Sequence, residues 1–253
     1  MKVPLTLATL VGAGFLGVSL GPATATTSAS CTTPGAVIIG GPNADILVGT
    51  PYNDIIYGRG GNDTIRGLGG ADRIVGGNGD DTLIGGACDD DVRGGNGDDR
   101  LDGSAGDDML SGDAGDDRLD GSGGDDQLDG GGGDDQLWGG TGDDRLLGSG
   151  GSDKLWGDAG QDQLDGNDGA DEAWGGDGQD EVRGSAGADY LYGDAGRDRI
   201  CGDDGKDHAY GGPDNDRLWG GAARDVLRGN QGNDRADGGP ANDACNVELA
   251  VNC

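Results

Sequence analysis

The stretch GGNGDDRLD, residues 94–102, shows the pattern on which most of the chain is built. From Gly40 to Asn246 the sequence divides into 23 consecutive units of nine residues, with no insertion or deletion between them. Every unit begins with glycine and carries aspartate at its sixth position, and the fourth position is glycine in 17 units. The eighth position is usually leucine, isoleucine or valine. A short fixed period of this kind predicts a solenoid in which each unit stacks on its neighbours.

The residue types within a unit indicate a turn followed by a strand. Glycine at positions one and four allows left-handed or crowded backbone, so we expect a tight turn over the first six positions. The last three positions, such as residues 100–102, alternate polar, apolar and polar side chains. This alternation predicts a short strand with one inward side chain.

The pattern resembles the RTX nonapeptide, also called the hemolysin-type calcium-binding repeat, Gly-Gly-x-Gly-x-Asp-x-U-x with U a large aliphatic residue. The resemblance covers residues 40–246 and implies two units per coil, with side chains 18 residues apart lying above one another. It implies an all-β fold, a parallel β-roll (right-handed β-solenoid) of about eleven coils with no helical domain. The core would be two thin ladders, one containing Leu101 and Leu119 and the other Leu110 and Leu128.

The resemblance also implies that the cofactor is calcium, bound as multiple ions. Calcium takes six to eight oxygen ligands from carboxylates and carbonyls. By analogy with the family, each ion would lie between position-six aspartates of adjacent turns, such as Asp99 with Asp117, giving up to 21 sites along the 23 units. Position-five acids such as Asp98 and Asp107 would strengthen the negative field without binding directly. The predicted metal ligands are Asp63, Asp72, Asp81, Asp99, Asp108, Asp117, Asp126, Asp135, Asp144, Asp153, Asp162, Asp171, Asp180, Asp189, Asp198 and Asp207.

Composition indicates that folding depends on the ion. The chain has 60 glycines and 48 acidic residues against 17 basic ones, for a net charge of −31. Burial of so few large apolar side chains does not offset the entropy of ordering the chain. Without calcium the stacked carboxylates repel, and with it the binding energy becomes folding energy. The charge also argues against nucleic acid and anionic lipid as partners.

The two ends depart from the repeat. Lys2, the apolar run over residues 3–20 and the small residues 23–25 predict a secretory signal peptide over residues 1–25, and therefore a secreted, extracellular protein. Residues 26–39 form a predicted N-terminal capping segment and residues 247–253 a C-terminal cap, and no other segment could span a bilayer. An N-terminal signal favours the general secretory route, whereas members of the resembled family typically leave through a dedicated one-step exporter.

Five cysteines fit an oxidising compartment, and their odd number leaves at least one without a partner inside the chain. Cys245 and Cys253 flank a loop suited to a disulfide that closes the last coil. Cys88 and Cys201 lie about six coils apart, so we expect each to be free or paired between chains. The partner of Cys31 is left open.

An aromatic stripe stands apart from the calcium pattern. Trp138, Trp156, Trp174, Tyr192 and Tyr210 all occupy position nine at intervals of 18 residues. One interpretation is a surface that stacks on sugar rings of an extracellular polysaccharide or cell surface. The other, which we favour, is that the rings stack on one another and stabilise a thin roll.

The sequence predicts a binding or structural protein and not an enzyme, so no catalytic residue is assigned. It contains no His-Glu-x-x-His or Gly-x-Ser-x-Gly motif, and its one histidine, His208, falls on a predicted strand. Identical repeats also give identical surroundings to every aspartate, whereas glycoside hydrolysis needs two carboxyl groups in different surroundings. Two functions remain: a secreted, calcium-dependent β-roll with a structural or matrix role, or a calcium-stabilised carbohydrate-binding module using the aromatic stripe.

Overall fold

The structure, a computed structural model, describes residues 30–253. The predicted signal peptide and residues 26–29 of the predicted N-terminal cap lie outside the described residues. Residues 30–253 form 25 strands and no helix, arranged as two parallel sheets of 13 and 12 strands. Successive strands alternate between the two sheets, so the chain winds as a solenoid of about twelve turns.

The first sheet holds the odd-numbered strands: β1 (Ser30–Ile39), β3 (Tyr52–Gly60), β5 (Arg73–Asn78), β7 (Asp91–Asn96), β9 (Met109–Ala114), β11 (Gln127–Gly132), β13 (Arg145–Gly150), β15 (Gln163–Asp168), β17 (Glu181–Gly187), β19 (Arg199–Gly205), β21 (Arg217–Ala222), β23 (Arg235–Asp237) and β25 (Leu249–Val251). The second holds the even-numbered strands: β2 (Ile46–Val48), β4 (Thr64–Arg66), β6 (Thr82–Ala87), β8 (Arg100–Ala105), β10 (Arg118–Gly123), β12 (Gln136–Thr141), β14 (Lys154–Ala159), β16 (Glu172–Gly178), β18 (Tyr190–Gly196), β20 (His208–Gly212), β22 (Val226–Asn230) and β24 (Ala244–Asn246).

The register confirms two nine-residue units per coil. Leu119 pairs with Leu137 eighteen residues later in the second sheet, and Leu128 pairs with Leu146 in the first. The predicted all-β parallel roll is therefore correct. The terminal strands account for the extra coil beyond the predicted eleven, because β1 and β25 add to the strands that the repeat supplies.

The predicted division of each unit was wrong in one respect. Most strands are six residues long, covering positions seven to nine of one unit and positions one to three of the next, so the turn is confined to positions four to six. Position two has a left-handed backbone, with φ of 72° at Ser122 and 108° at Gly140. These two residues nevertheless pair with each other, so hydrogen bonding between coils continues beyond the bend.

The core is the pair of aliphatic ladders that position eight predicts. Position-eight side chains are buried without interruption from Ile56 to Ala236. Where the position carries alanine, as at Ala173 and Ala209, the coil keeps its place with a smaller side chain. In the N-terminal strand, Ile38 pairs with Ile56 and packs against the end of this core.

Three units keep the left-handed turn although position four is not glycine. The φ angles are 81° at Cys88, 85° at Asp214 and 73° at Ala223. A side chain in this conformation costs roughly 1–2 kcal/mol. The inter-coil contacts on either side therefore hold these turns against a local preference for another conformation.

The structure contains two disulfides, one of which corrects a cysteine assignment and one of which closes the last coil. Cys88 is bonded to Cys31, so the expectation that Cys88 is free or paired between chains was wrong. Strand β1 departs from regular register between Ser30 and Val37, and this irregularity brings its first residues beside the turn that carries Cys88. A second disulfide joins Cys245 to Cys253, and Cys201 has a free thiol.

Within residues 30–253, no helix has the length and apolar character needed to cross a membrane.

Candidate metal centres

Position-six aspartates are buried along both edges of the roll, although they are charged residues in the turns. From Asp54 to Asp243 the exposed fraction of every one of them is between 0% and 9%. The next strand begins at the residue after each aspartate from Asp63 onward, so the aspartate is the last residue of its turn. Its carboxylate points inward and contacts the neighbouring coil. Charged groups in such positions need a partner, a proton or a metal ion.

One oxygen of each carboxylate is already used to join two coils. Asp126 Oδ1 accepts a hydrogen bond from the backbone N–H of Asp108, 18 residues earlier, at 2.7 Å. The same contact joins Asp117 to Asp99 at 2.7 Å and Asp180 to Asp162 at 2.9 Å. Stacked aspartates therefore meet through carboxylate and backbone, and each keeps its second oxygen, Oδ2, for another ligand.

The Oδ2 atoms have no hydrogen-bond partner within the part of the chain that the structure describes. This holds for 21 buried aspartates, at every position six from Asp63 to Asp243. Position-one glycines pack directly against these oxygens. A Cβ on Gly175 would lie 2.5 Å from Asp180 Oδ2 and 2.7 Å from the carbonyl oxygen of Gly193 in the next coil. Only glycine leaves room for the carboxylate and the carbonyl to approach together.

The first two position-six aspartates differ from the rest. Asp45 Oδ2 accepts the backbone N–H of Gly41 at 2.5 Å, and Asp54 Oδ2 accepts that of Thr50 at 2.5 Å. Their Oδ2 atoms are therefore satisfied by the protein. The unpartnered row begins at Asp63.

Burial raises the pKa of these carboxyl groups. The pKa of Asp90 rises to about 8, that of Asp126 to about 7 and that of Asp180 to about 6. Loss of solvation is the largest cause at all three, the hydrogen bond from the preceding coil lowers the pKa, and neighbouring carboxylates raise it again. The metal-free roll therefore holds carboxylates that resist ionisation at neutral pH.

All the predicted metal ligands lie in the two buried rows. One row contains Asp63, Asp81, Asp99, Asp117, Asp135, Asp153, Asp171, Asp189 and Asp207, and the other Asp72, Asp108, Asp126, Asp144, Asp162, Asp180 and Asp198. The prediction omitted Asp90, Asp216, Asp225, Asp234 and Asp243, which have the same burial and the same unpartnered oxygen. Their units depart from the consensus at position four or eight, but aspartate at position six was the signal that could have found them.

Carboxylates alone do not form a ligand cluster. Within residues 30–253, no three His, Cys, Asp or Glu side chains converge on one point. A cation held by these rows would need backbone carbonyl oxygens to complete its shell, which is the mixed set that calcium accepts. The paired approach of Asp180 Oδ2 and the Gly193 carbonyl to Gly175 shows that both kinds of oxygen face the same gap between coils.

The C-terminal end substitutes another acid for the repeat aspartate. Glu248 Oε2 accepts the backbone N–H of Asp234 at 2.9 Å, the role that a position-six aspartate fills elsewhere. This hydrogen bond lowers the pKa of Glu248. The repeat pattern gives no signal for Glu248, because it lies 14 residues from its donor and not 18.

The aromatic stripe is a continuous stack of half-buried rings. Ring centroids are 4.8 Å apart from Trp138 to Trp156, 5.1 Å to Trp174, 5.5 Å to Tyr192 and 5.0 Å to Tyr210, with planes within 7° of parallel. Each inner ring therefore has both faces covered by its neighbours and presents its edge to solvent.

Fold and site together define a parallel β-roll whose coils are joined through buried rows of aspartate. The model of the RTX calcium-binding nonapeptide repeat (4 copies) matches residues 39–73, 66–101, 102–137, 138–173, 174–209 and 210–244. The chain belongs to the family of RTX calcium-binding nonapeptide repeats. None of the curated proteins compared with the chain matches it.

Proposed function

We propose that the chain binds multiple calcium ions through the aspartate rows from Asp63 to Asp243, and that this binding folds the β-roll. One observation carries the proposal: 21 buried carboxylate oxygens have no partner among the described residues. An ionised carboxylate in that position is costly unless a cation compensates it. Calcium suits the site because it accepts carboxylate and carbonyl oxygens in flexible geometry.

Calcium binding then supplies stability that the core lacks. Each coil contributes only two inward aliphatic side chains, such as Leu119 and Leu128, to a core one residue wide on each sheet. A ligand that binds only the folded state adds about 2.7 kcal/mol per site when its concentration is 100 times Kd. Repeated along the roll, this term exceeds the 5–15 kcal/mol by which a domain is usually stable, so occupancy decides whether the chain folds.

The biological role that we propose is structural, outside the cell. The predicted signal peptide and the disulfides Cys31–Cys88 and Cys245–Cys253 support an oxidising, extracellular location. Millimolar extracellular calcium suits sites of low affinity. A roll whose carboxylates have nearly equivalent surroundings along its length suits a matrix component better than a catalyst.

The stacked rings favour the structural role over glycan binding by the stripe. Sugar rings stack on the faces of aromatic side chains, and the inner faces of the stripe already contact other rings. Retention on insoluble polysaccharide tests the alternative, with Trp156→Ala and Trp174→Ala as matched variants. Retention that both substitutions abolish would favour the carbohydrate-binding module.

Calcium titration followed by far-UV circular dichroism tests the proposed function. The chain from Thr26 to Cys253 is titrated from chelator to millimolar calcium at pH 7.5, with magnesium as the control ion. We expect a cooperative rise in β signal with calcium and none with magnesium, because magnesium demands stricter geometry and gives up its water reluctantly. A chain already folded in chelator, or still disordered in millimolar calcium, would refute the proposal.

A further inference from the structure

The two ends of the roll expose large apolar side chains. Of the twelve such side chains that are exposed within residues 30–253, six lie on only three strands, β1, β2 and β25. On β2, Ile46 is 81% exposed and Val48 51%, and on β25 Leu249 is 55% exposed and Val251 37%. Solenoid proteins usually end in repeats with a polar outer face, which keep them soluble as single copies. The ends of this roll lack that protection.

The same ends leave strands without a neighbour. Strands β1 and β2 pair only with β3 and β4, and strands β24 and β25 pair only with β22 and β23. The outer backbone groups of such edge strands are a template for a further strand. The ends of the core are also incompletely covered, because four side chains that pack against it are only partly buried: Ile38, Leu47, Cys245 and Val247.

A second copy of the chain fits the C-terminal end as the next coil. Because strands alternate between the sheets, the next strand after β25 would lie on β24, and the one after that on β25. The two units of a coil are equivalent, so a second copy turned by half a turn about the roll axis offers its β1 and β2 for these two places. In the register of the repeat, Ile46 would then lie beside Leu249 and Val48 beside Val251. The inward position between them would continue the core.

Both ends carry little charge, although the net charge of the chain is −31. Residues 30–48 contain one charged residue, Asp45, and residues 244–253 contain one, Glu248. The carboxylate of Glu248 already accepts the backbone N–H of Asp234. Acidic side chains along the rest of the roll repel a second copy that approaches from the side. Charge therefore favours contact between ends over contact between sides.

We propose that folded rolls associate end to end, with β24 and β25 of one copy against β1 and β2 of the next. The two contacting surfaces differ, so each added copy leaves a free end and the product is an open filament, not a closed dimer. The contact has the cross-section of one coil, so the association should be reversible and depend on concentration. The inference rests on the calcium-folded roll of the proposed function and extends its structural role beyond one molecule.

Analytical ultracentrifugation of the chain from Thr26 to Cys253 tests the proposal in millimolar calcium, from micromolar to near-millimolar protein. We expect the average mass to rise with concentration beyond that of a dimer, without a plateau. Circular dichroism of the same samples measures folding separately. A folded chain that stays monomeric would overturn end-to-end association and leave calcium binding intact, whereas a chain that does not fold in calcium would overturn both.

Charged substitutions at the two ends test the contact and its register. Ile46→Lys and Leu249→Glu should each weaken the association constant at least about tenfold, because each places a charge against an apolar side chain of the next copy. A chain carrying both substitutions should associate again, since the two opposite charges would face each other across the contact. The control is Met109→Glu, at a side chain that is 52% exposed in the middle of the roll, and it should leave association unchanged.

Three patterns among the folded variants would also overturn the proposal. If only Ile46→Lys prevents association and the unaltered protein stops at a dimer, the N-terminal ends meet each other. If neither end substitution weakens association, the copies meet through another surface. If each substitution weakens association but the double variant does not recover it, residues 46 and 249 do not face each other and the proposed continuation of the coils is wrong.

Discussion

In calcium-free buffer we expect acid to replace calcium and fold the roll. Sixteen of the buried aspartates have pKa values raised to about 6, 7 or 8 in the folded chain, while an unfolded aspartate has a pKa of about 3.9. The folded state therefore binds more protons than the unfolded state. This stabilisation is complete below the unfolded pKa and is lost as pH rises through the folded pKa values.

The size of the pKa shifts decides whether the metal-free roll is folded at neutral pH. Raising the pKa of Asp126 from 3.8 to about 7 destabilises the ionised, metal-free roll by about 4 kcal/mol relative to the unfolded chain. Three or four such groups, far apart along the rows, together correspond to the roughly 5–15 kcal/mol by which a domain is usually stable. The metal-free roll should therefore be unfolded at pH 7.5 and folded near pH 4.

Circular dichroism between pH 7.5 and pH 4 in calcium-depleted buffer measures this transition, with thermal melts to establish cooperativity. Asp126→Asn keeps the Oδ1 acceptor for the Asp108 N–H and removes the charge, so it should raise the pH midpoint of folding. Asp125→Asn is the matched control, because Asp125 is exposed and its charge is screened by solvent. In saturating calcium the order of stability should reverse, and the Asp126→Asn variant should be about 2–3 kcal/mol less stable than the unaltered protein. Disorder at pH 4, or a folded metal-free chain at pH 7.5, would refute the linkage.

Three further predictions concern packing and covalent links, each measured by denaturant unfolding in millimolar calcium. Gly175→Ala should destabilise by about 1–3 kcal/mol, because its Cβ would overlap a carboxylate and a carbonyl oxygen, whereas Gly132→Ala meets no atom within 4 Å and should be nearly neutral. Trp156→Ala should cost about 3–5 kcal/mol through lost burial and two stacked contacts, without reducing the number of calcium ions bound; an unchanged stability would mean that the stripe does not support the roll. Cys88→Ser opens the link to Cys31, which spans 57 residues, and should cost about 4 kcal/mol; equal stability of variant and parent would contradict this bridge.

The period of the repeat was sufficient to predict the sheets and the core. An inward residue every nine positions and two units per coil place Leu119 above Leu137, as the structure has it. The same period predicted which carboxylates line the edges. It did not reveal that one oxygen of each joins the preceding coil through its backbone N–H, because that contact depends on the path of the turn between Asp108 and Asp126.

Features that break the period were beyond prediction from it. The Cys31–Cys88 bond depends on an irregular register in β1, which a repeat count cannot show. The bend at position two was missed because serine, aspartate and asparagine occupy it as often as glycine, as at Ser122 and Asp158. Glu248 was missed because the chain is four residues shorter in the last coil, so the acid falls outside the nine-residue register.

Anomalous X-ray diffraction from crystals grown in calcium tests the central claim most directly. The account predicts two rows of anomalous peaks along the edges of the roll, about 4.8 Å apart within a row, beside the Oδ2 atoms of the aspartates from Asp63 onward. Asp45 and Asp54, whose Oδ2 atoms accept backbone N–H groups, should have no peak of their own at Oδ2. Peaks only at the exposed position-five aspartates, or an ordered roll with no calcium beside the buried carboxylates, would contradict it.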